Sequence, residues 1–377
     1  MQLNSETVLN TMNDQKQREV PGIRDVARLA NVSIGTVSRV LNKSQGVKTA
    51  TRQRVLAAID KLDYSPNLIA RSMTSRRTGS IGVIVPFFTR PFFSEVLRGV
   101  EVMITRAGRE FVLYNVQSRE QCDSYFRNLS KQCRVDGLLV ISLYPNDTIA
   151  ASFKNTGLPV VLVDAYHPQL TSLVVNNIEG AYQAIKCLIE HGHRRIGFIN
   201  GITEGDFHFN ASSDRFVGMH RAITEAGLPY EPDLVLTSPW DRQGGREAAL
   251  QLLTRPDRPT AIFASSDLQA VGVMEVAKSL NMVIPDDLSL IGFDGIELSE
   301  ILELSTIQQP MKYMGELGAQ KLIDQIECNV DENLLPELIR LHPGLVMRRT
   351  IAAPASFYTD TQSIPCYPEN RFVSGSG

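Results

Sequence analysis

The residues richest in chemical information lie between positions 23 and 42. Ile23, Val26, Ala27 and Ala30 recur at i, i+3, i+4 and i+7, the spacing of one buried helical face. Asn31, Val32 and Ser33 interrupt the pattern, and Ser33 suits the cap of a second helix. That helix buries Val37, Val40 and Leu41. Its other face carries Gly35, Ser38, Arg39 and Asn42 at the same spacing. Small and hydrogen-bonding groups on an exposed helical face are what reading base edges in the major groove of duplex DNA requires.

These side chains need a scaffold. Residues 49–62 read as a third helix with Val55, Ile59 and Leu62 facing inward, joined to the second by a polar loop at 42–48. Three short helices in this order match a helix-turn-helix domain over residues 21–64. Ser65 and Pro66 then suit an N-cap and a first helical position. Residues 67–74 can form barely two turns, too few to persist alone in water; such a helix needs DNA or a twin helix against it. Residues 75–79 read as a linker, and polar residues 1–20 as a disordered leader.

From Ser80 the pattern changes. Nearly continuous apolar strands are expected at 81–85, 111–114, 138–142, 160–163, 173–175, 196–199, 261–264 and 288–293. Helical patterns alternate with them at 93–107, 179–191, 214–226, 244–253 and 268–280. Buried strands alternating with helices predict an α/β fold with parallel sheets covered on both faces. The strands are too many for one compact sheet, and the segment at 195–200 resembles that at 80–85. Two lobes with a cleft between them follow, over residues 80–350, with a flexible tail at 351–377. Asp164 and Asp294 each end an apolar strand, where ligands of open α/β sheets gather. Phe92 and Phe93 follow Pro91 at the mouth of the first lobe.

Charge separates the parts. Residues 1–79 hold 13 Lys and Arg against 6 Asp and Glu, while the whole chain of 377 residues carries a net charge of −3. A basic head on an acidic body points to a polyanion meeting only the head. The five cysteines, at 122, 133, 187, 328 and 366, are scattered without metal-ligand spacing, as expected of reduced thiols in the cytoplasm. No secretory signal and no apolar run of membrane-spanning length is visible. A leucine heptad is absent from the tail, which favours a dimer over a tetramer.

Residues 23–85 resemble the LacI/GalR family of bacterial transcriptional regulators. The resemblance rests on Asp25-Val26-Ala27, Val32-Ser33, the run from Thr36 to Asn42, Thr51-Arg52, the run from Tyr64 to Asn67, Ala70 to Met73 and Ser80 to Val83. In the body, Gly192-His193, Arg215 to Gly218, Pro259 to Ile262, Asp267, Ile291 to Asp294 and Thr306 to Pro310 agree, so it covers about residues 22–350. The family implies a cytoplasmic homodimer that binds a palindromic operator. It also implies a periplasmic-binding-protein-like body that senses a small molecule, usually a sugar or a purine.

The resemblance assigns roles residue by residue. The second helix enters the major groove, where the fork of Arg39 matches guanine O6 and N7. Ile34 and Gly35 sit where relatives vary their base choice, with Ile34 offering apolar contact to a thymine methyl. Arg24, Ser33, Thr36, Ser38 and Asn42 are expected at phosphates, although Ser33 also reads as a plain N-cap and Thr36 as helix packing. Gly22 departs from the family's usual threonine. Residues 67–74 match the family's hinge helix, in which Met73 takes the wedge position between base steps, Ala70 permits close approach, and Asn67 and Arg71 contact backbone or groove edges.

In the body, Arg215 and Asp294 fall on the family's ligand-clasping pair, Asp164 on a position that touches sugar hydroxyls, and Trp240 where an aromatic ring stacks on ligand. Ser266, Asp267 and Gln309 complete the expected effector set; Asp267 also reads as a helix cap. Residues 203–213 run about two residues longer than usual for the family and bring Phe207, His208 and Phe209 near Arg215. That hints at a pocket wide enough for a disaccharide. The expected function is an effector-controlled repressor of sugar-utilisation genes. No phosphate-binding glycine loop, nucleophile elbow or metal spacing points to an enzyme, and neither a cofactor nor a metal is expected. His191, His193 and His208 read as structural or surface residues.

Overall fold

The computed structural model describes residues 21–41, 44, 46–64, 78–132, 134–202, 207, 209–328 and 335–354. The chain divides into two compact units, 1–78 and 79–377.

In the first unit, α1 (Ile23–Ala30), α2 (Ile34–Leu41) and α3 (Thr49–Lys61) surround a small core. The buried side chains are Val26, Ala27, Ala30, Val37, Val40, Val55 and Ala58, with Ile23, Leu41, Ile59 and Leu62 packed at its edge. Ala58 joins Ile59 and Leu62 on the inward face of α3. The helix ends follow from local chemistry. The Asp25 carboxylate accepts the Gly22 N–H at 3.0 Å at the start of α1. Asn31 ends α1 in the left-handed region, at φ 52°, which asparagine tolerates better than most residues. Ser33 Oγ then accepts the Thr36 N–H at 3.2 Å, opening α2 as an N-cap should.

The second unit holds two six-stranded sheets. One contains β1 (Ser80–Pro86), β2 (Glu110–Val116), β3 (Gly137–Ile141), β4 (Val160–Val163), β5 (Thr171–Val175) and β11 (Leu338–Leu341), in the spatial order β11-β5-β4-β3-β1-β2. The other contains β6 (Ile196–Gly201), β7 (Val235–Ser238), β8 (Ala261–Ala264), β9 (Ser289–Asp294), β10 (Ser305–Gln308) and β12 (Gly344–Val346), in the order β12-β10-β9-β8-β6-β7. The eight expected strands are present. β7, β10, β11 and β12 were not expected; they are short or half exposed and lack a continuous apolar run. β12 pairs antiparallel to β10, so the second sheet is mixed at its edge rather than wholly parallel.

The intervening helices are α4 (Pro91–Arg106), α5 (Arg119–Gln132), α6 (Asp147–Thr156), α7 (Asn177–Glu190), α8 (Asn210–Glu225), α9 (Arg242–Leu253), α10 (Asp267–Ser279), α11 (Glu297–Ile301) and α12 (Met311–Glu327). The chain crosses between lobes three times. α7 follows β5 yet packs under the second sheet through Ala181, Ala184, Ile185 and Leu188. α12 follows β10 yet packs under the first sheet through Met314, Ala319, Leu322 and Ile326. The third crossing links β11 to β12. Two further side chains stitch the lobes: Ile296, just after β9, is buried in the first lobe's core, and Phe207, after β6, is buried there edge-on to Phe87 at 5.9 Å.

α4 and α12 cross at backbone contact. A Cβ on Gly99 would run into the carbonyl oxygen of Lys312, and one on Gly315 into that of Val96. Backbone cannot step aside as a flexible side chain does. Gly315→Ala is therefore expected to lower unfolding free energy by about 1–3 kcal/mol, read as a lower denaturant midpoint at unchanged slope. An unchanged midpoint would contradict the contact.

Candidate functional site

A cavity opens between the two lobes of the second unit. The first lobe lines it with Arg90, Pro91, Phe92 and Phe93 at the start of α4, and with Ser142 and Asp164 just past β3 and β4. The second lobe contributes Phe209, Ala211 and Arg215 from α8 and its approach, Trp240, Ser266 and Leu268 at the start of α10, and Asp294, Ile296 and Gln309. The walls gather at the carboxyl ends of strands, as open α/β sheets require.

The strand ends carry unusual backbone. Ser142, Asp164 and Asp294 have φ values of 52°, 55° and 118°, where side chains other than glycine's are strained and where functional sites concentrate. The strain turns these side chains into the cavity. Ser142 Oγ donates to Asp164 Oδ2 at 2.6 Å, and the Tyr144 hydroxyl donates to the Asp164 carbonyl at 3.3 Å. Gln309 Nε2 donates to Asp294 Oδ1 at 2.7 Å, while the Gln309 N–H donates to the Asp294 carbonyl at 2.9 Å.

Among the described residues, Arg215 is the only cation deep in this wall, 4% exposed. Its Nε donates to Asn177 Oδ1 at 2.9 Å and its Nη1 to the Ser265 carbonyl. Its Nη2 lies 3.9 Å from Asp294 Oδ1, an ion pair too long for a hydrogen bond. The guanidinium stacks 3.6 Å from the Phe293 ring centroid, with the Trp240 ring 5.2 Å away. Trp240 is itself fixed: its Nε1 donates to the Ile202 carbonyl at 2.6 Å, and its indole covers Gly201, where a Cβ would collide with the ring.

Burial governs the ionisation of the site. It pushes the Asp294 carboxyl up to about 7 against the pull of Arg215, with the Asp267 and Asp164 charges adding to the rise. It pushes Asp164 up to about 6, opposed by the Ser142 hydrogen bond and Arg215. Arg215 is lowered by burial and supported by Asp294, Asp164, Asp214 and Asp267.

Of the nine expected effector residues, eight line the cavity: Phe92, Phe93, Asp164, Arg215, Trp240, Ser266, Asp294 and Gln309. Asp267 does not. Its Oδ2 accepts the N–H groups of Gly295 and Ile296 at 2.8 and 2.9 Å, and its Oδ1 accepts the Thr306 hydroxyl at 2.6 Å. Three donors occupy the carboxylate, so Asp267 holds the turn that carries Asp294 and is not among the residues that line the cavity. Ser266 lines the wall and also caps α10, accepting the Gln269 N–H at 3.2 Å. Reasoning from sequence missed Ser142, although it ends an expected apolar strand as Asp164 and Asp294 do. It also missed Arg90, Ala211 and Leu268 at helix starts, and Asn177 and Ile296, which follow chain segments that pass from one lobe to the other. Among the extra aromatics, Phe209 reaches the wall, Phe207 is committed to the first lobe's core, and His208 lies outside the described residues.

His193 is structural. Its Nδ1 pairs with Thr260 Oγ1 and its Nε2 with the Ala352 carbonyl, both at 2.9 Å. Burial holds it neutral down to about 4. His191 is tied to the Cys187 carbonyl at 2.8 Å.

In the first unit, Arg24, Ser33, Ile34, Gly35 and Arg39 are exposed, while Thr36 and Ser38 are half-buried. Ile34 is 45% exposed, an apolar side chain with no place in the core. Ser33 Oγ and Thr36 Oγ1 also pair with each other at 3.0 Å. Arg52 donates to the Ser44 carbonyl at 2.9 Å and so braces the loop before α3. Asn42, Asn67, Ala70, Arg71 and Met73 lie outside the described residues.

Comparison with known proteins finds matches in both units of the chain. Residues 22–67 match the family described as "Bacterial regulatory proteins, lacI family", and residues 185–351 match "Periplasmic binding protein-like domain". The HTH-type transcriptional repressor PurR of Photobacterium profundum is 36% identical over 337 residues, covering 87% of this chain and 98% of that protein. PurR of Shigella sonnei is 35% identical over 336 residues, covering 88% and 96%. Among solved structures, a complex of the transcriptional regulator CelR with cellobiose has 31% identity and a TM-score of 0.64, covering 88% of this chain and 99% of that one. The lac repressor bound to ONPG in its repressed state has 26% identity and a TM-score of 0.76, with the same coverage.

The ionisation of Asp294 sets a test of the site's burial. Unfolded, its carboxyl releases its proton near 3.8; folded, it does so at about 7. The protonated group's stabilisation is complete below the lower value and lost as pH rises through the higher one. His193 acts oppositely, since stability falls as pH drops below its ordinary 6.5 towards about 4. The comparison with a variant isolates the carboxyl. The Tm at pH 5.5 minus that at pH 7.5 should be more positive in the native protein than in Asp294→Asn, by roughly 2–4 °C. An equal difference in the two proteins would contradict the buried carboxyl.

Proposed function

The chain belongs to the lacI family of bacterial regulatory proteins, and we propose that it is a homodimeric repressor of sugar-utilisation genes whose hold on a palindromic operator is set by a sugar bound between the lobes of its body. DNA binding and repression come with the family. The sugar, the dimer and the residue roles are our reading, as is action in the bacterial cytoplasm, where such an operator resides.

One observation carries the effector reading. Strained strand ends present two buried carboxylates, Asp164 and Asp294, beside the stacked fork of Arg215 and the face of Trp240. Carboxylates accept from paired hydroxyls, a guanidinium donates to hydroxyl or ring oxygens in a fixed plane, and an aromatic face covers the apolar side of a pyranose. The cellobiose complex of CelR lends support as a relative that takes a disaccharide. Phe209 on the wall extends the aromatic surface in the same direction.

The exposed face of α2 supports the operator reading. Gly35 brings no side chain between backbone and groove, Ile34 supplies an apolar surface, and Arg39 supplies a fork. A pair of copies reading successive major grooves gives the two-fold operator its symmetry. Asn67, Ala70, Arg71 and Met73 are assigned to the minor groove by family position alone.

Two sets of experiments test these assignments. In a filter or anisotropy assay over operator variants, Arg39→Ala should relax choice at one base pair in each half-site, a loss of about 1–3 kcal/mol confined to the cognate base. Lys48, exposed at the start of α3, is assigned to phosphate, and Lys48→Ala should then weaken all sequences alike and reduce the salt slope by about 1. Equal loss on every sequence for Arg39→Ala removes its base-reading role. For the cleft, Asp294→Asn should weaken sugar binding by about 10- to 100-fold, as expected for a charge-assisted hydrogen bond of roughly 1.5–3 kcal/mol, while operator affinity without sugar stays within about threefold. Unaltered sugar affinity in that variant would remove Asp294 from the site.

A further inference from the structure

The peptide between Thr78 and Gly79 joins the two units of the chain, and side chains of the first lobe hold it. Its N–H donates to Asp136 Oδ2 at 2.9 Å. The same oxygen accepts from Arg109 Nη1 at 3.0 Å, and the two side chains are 5% and 12% exposed. Arg109 stands just before β2 and Asp136 just before β3, the strands that flank β1 in the sheet. Their ion pair therefore bridges the two neighbours at the start of β1. Backbone bonds grip the same point from both sides. The Glu110 N–H donates to the Gly79 carbonyl at 2.9 Å, and the Asp136 N–H to the Ser80 carbonyl at 2.8 Å. Gly79 itself is exposed and has a φ of 78°, which glycine adopts without steric cost.

The pairing of β1 with its neighbours begins at Ser80 and Ile81. The Asp136 bond reaches beyond that pairing, to the peptide that leads out of the body. It also lies at the amino ends of the strands, whereas Ser142, Asp164 and Asp294 of the cavity lie at their carboxyl ends. We propose that Asp136, braced by Arg109, is a positioning residue for operator binding. It fixes the peptide through which the body carries each DNA-binding unit, and so limits the half-site spacings that the paired units can reach. A slack tether lowers the effective concentration of the second unit at its half-site and spreads it over more spacings, while a fixed one concentrates it at a single spacing. This role rests on the homodimer reading given above.

The probe is a palindromic duplex selected from a random-sequence pool by the full-length protein. It is compared with the same duplex carrying one or two extra base pairs at its centre, and with a single half-site. In anisotropy titrations the native protein is expected to bind the respaced duplexes about 30-fold more weakly than the selected one. Asp136→Ala is expected to weaken the selected duplex about tenfold and to shrink the spacing penalty to about fivefold or less. Asp136→Asn keeps an oxygen that can accept from Gly79 and Arg109 and is expected to retain most of the penalty. Gly79→Pro removes the N–H at an exposed position and leaves the Arg109–Asp136 pair in place. It is expected to flatten the spacing profile as Asp136→Ala does, and it decides the matter alone where Asp136→Ala fails to fold. The positioning role is overturned by a penalty that survives in Asp136→Ala or Gly79→Pro, by one lost equally in Asp136→Asn, or by a native protein indifferent to spacing. A single half-site bound as tightly as the palindrome overturns the homodimer reading, and the positioning role falls with it.

Discussion

The body of this protein is organised around a guanidinium that should not be cheap to bury. Taking an arginine out of water costs several kcal/mol unless its donors are met and its charge answered. Here Arg215 is met from three directions: Asn177 at the start of α7, the Ser265 carbonyl past β8, and Asp294 at the end of β9, with Phe293 beneath the plane. Each partner arrives on a different element. The second lobe must therefore fold with α7 under its sheet and β9 at its centre before the arginine is satisfied. The same geometry leaves one edge of the fork and two carboxylates turned towards the cleft. The satisfaction of Arg215 thus shapes the wall of the cleft.

The support runs one layer deeper through Asp267. Its carboxylate takes the N–H groups of Gly295 and Ile296 and the hydroxyl of Thr306, which fixes the turn after Asp294. Ile296, held by that turn, reaches into the first lobe's core. The turn that aims the acid at the cavity is also a bridge between lobes, so movement of one lobe against the other is felt at the wall. Under the proposed function, this coupling is how an occupied cleft would shift one lobe against the other.

Much of this was legible beforehand, for identifiable reasons. The helical unit could be read because its apolar residues keep helical spacing and its break carries cap chemistry at Asn31 and Ser33. The central strands could be read because burial on both faces leaves continuous apolar runs. Edge strands such as β7 and β11 face water on one side and leave a weak signal, so they were missed. The site residues at strand ends, Asp164 and Asp294, follow from a rule of the fold. Arg215 and Trp240 sit on helix and loop positions that no local pattern distinguishes, and were found through family resemblance. Asp267 was read both as an effector residue and as a helix cap, because an acidic residue beside a cleft looks the same in sequence whether its oxygens face ligand or backbone. Asn177 was invisible for the converse reason: it reaches the site only because the chain crosses between lobes.

Trp240 is the single tryptophan of the chain, and it stands on the cavity wall against Arg215. Its fluorescence therefore reports occupancy of the cleft without a label. The most direct measurement titrates a binding sugar into the protein bound to fluorescein-labelled operator, recording indole emission and operator anisotropy in the same cuvette. The account predicts that both signals change and share one midpoint. Operator release or tightening with no change at the indole, or an indole change with no effect on the operator, would contradict it.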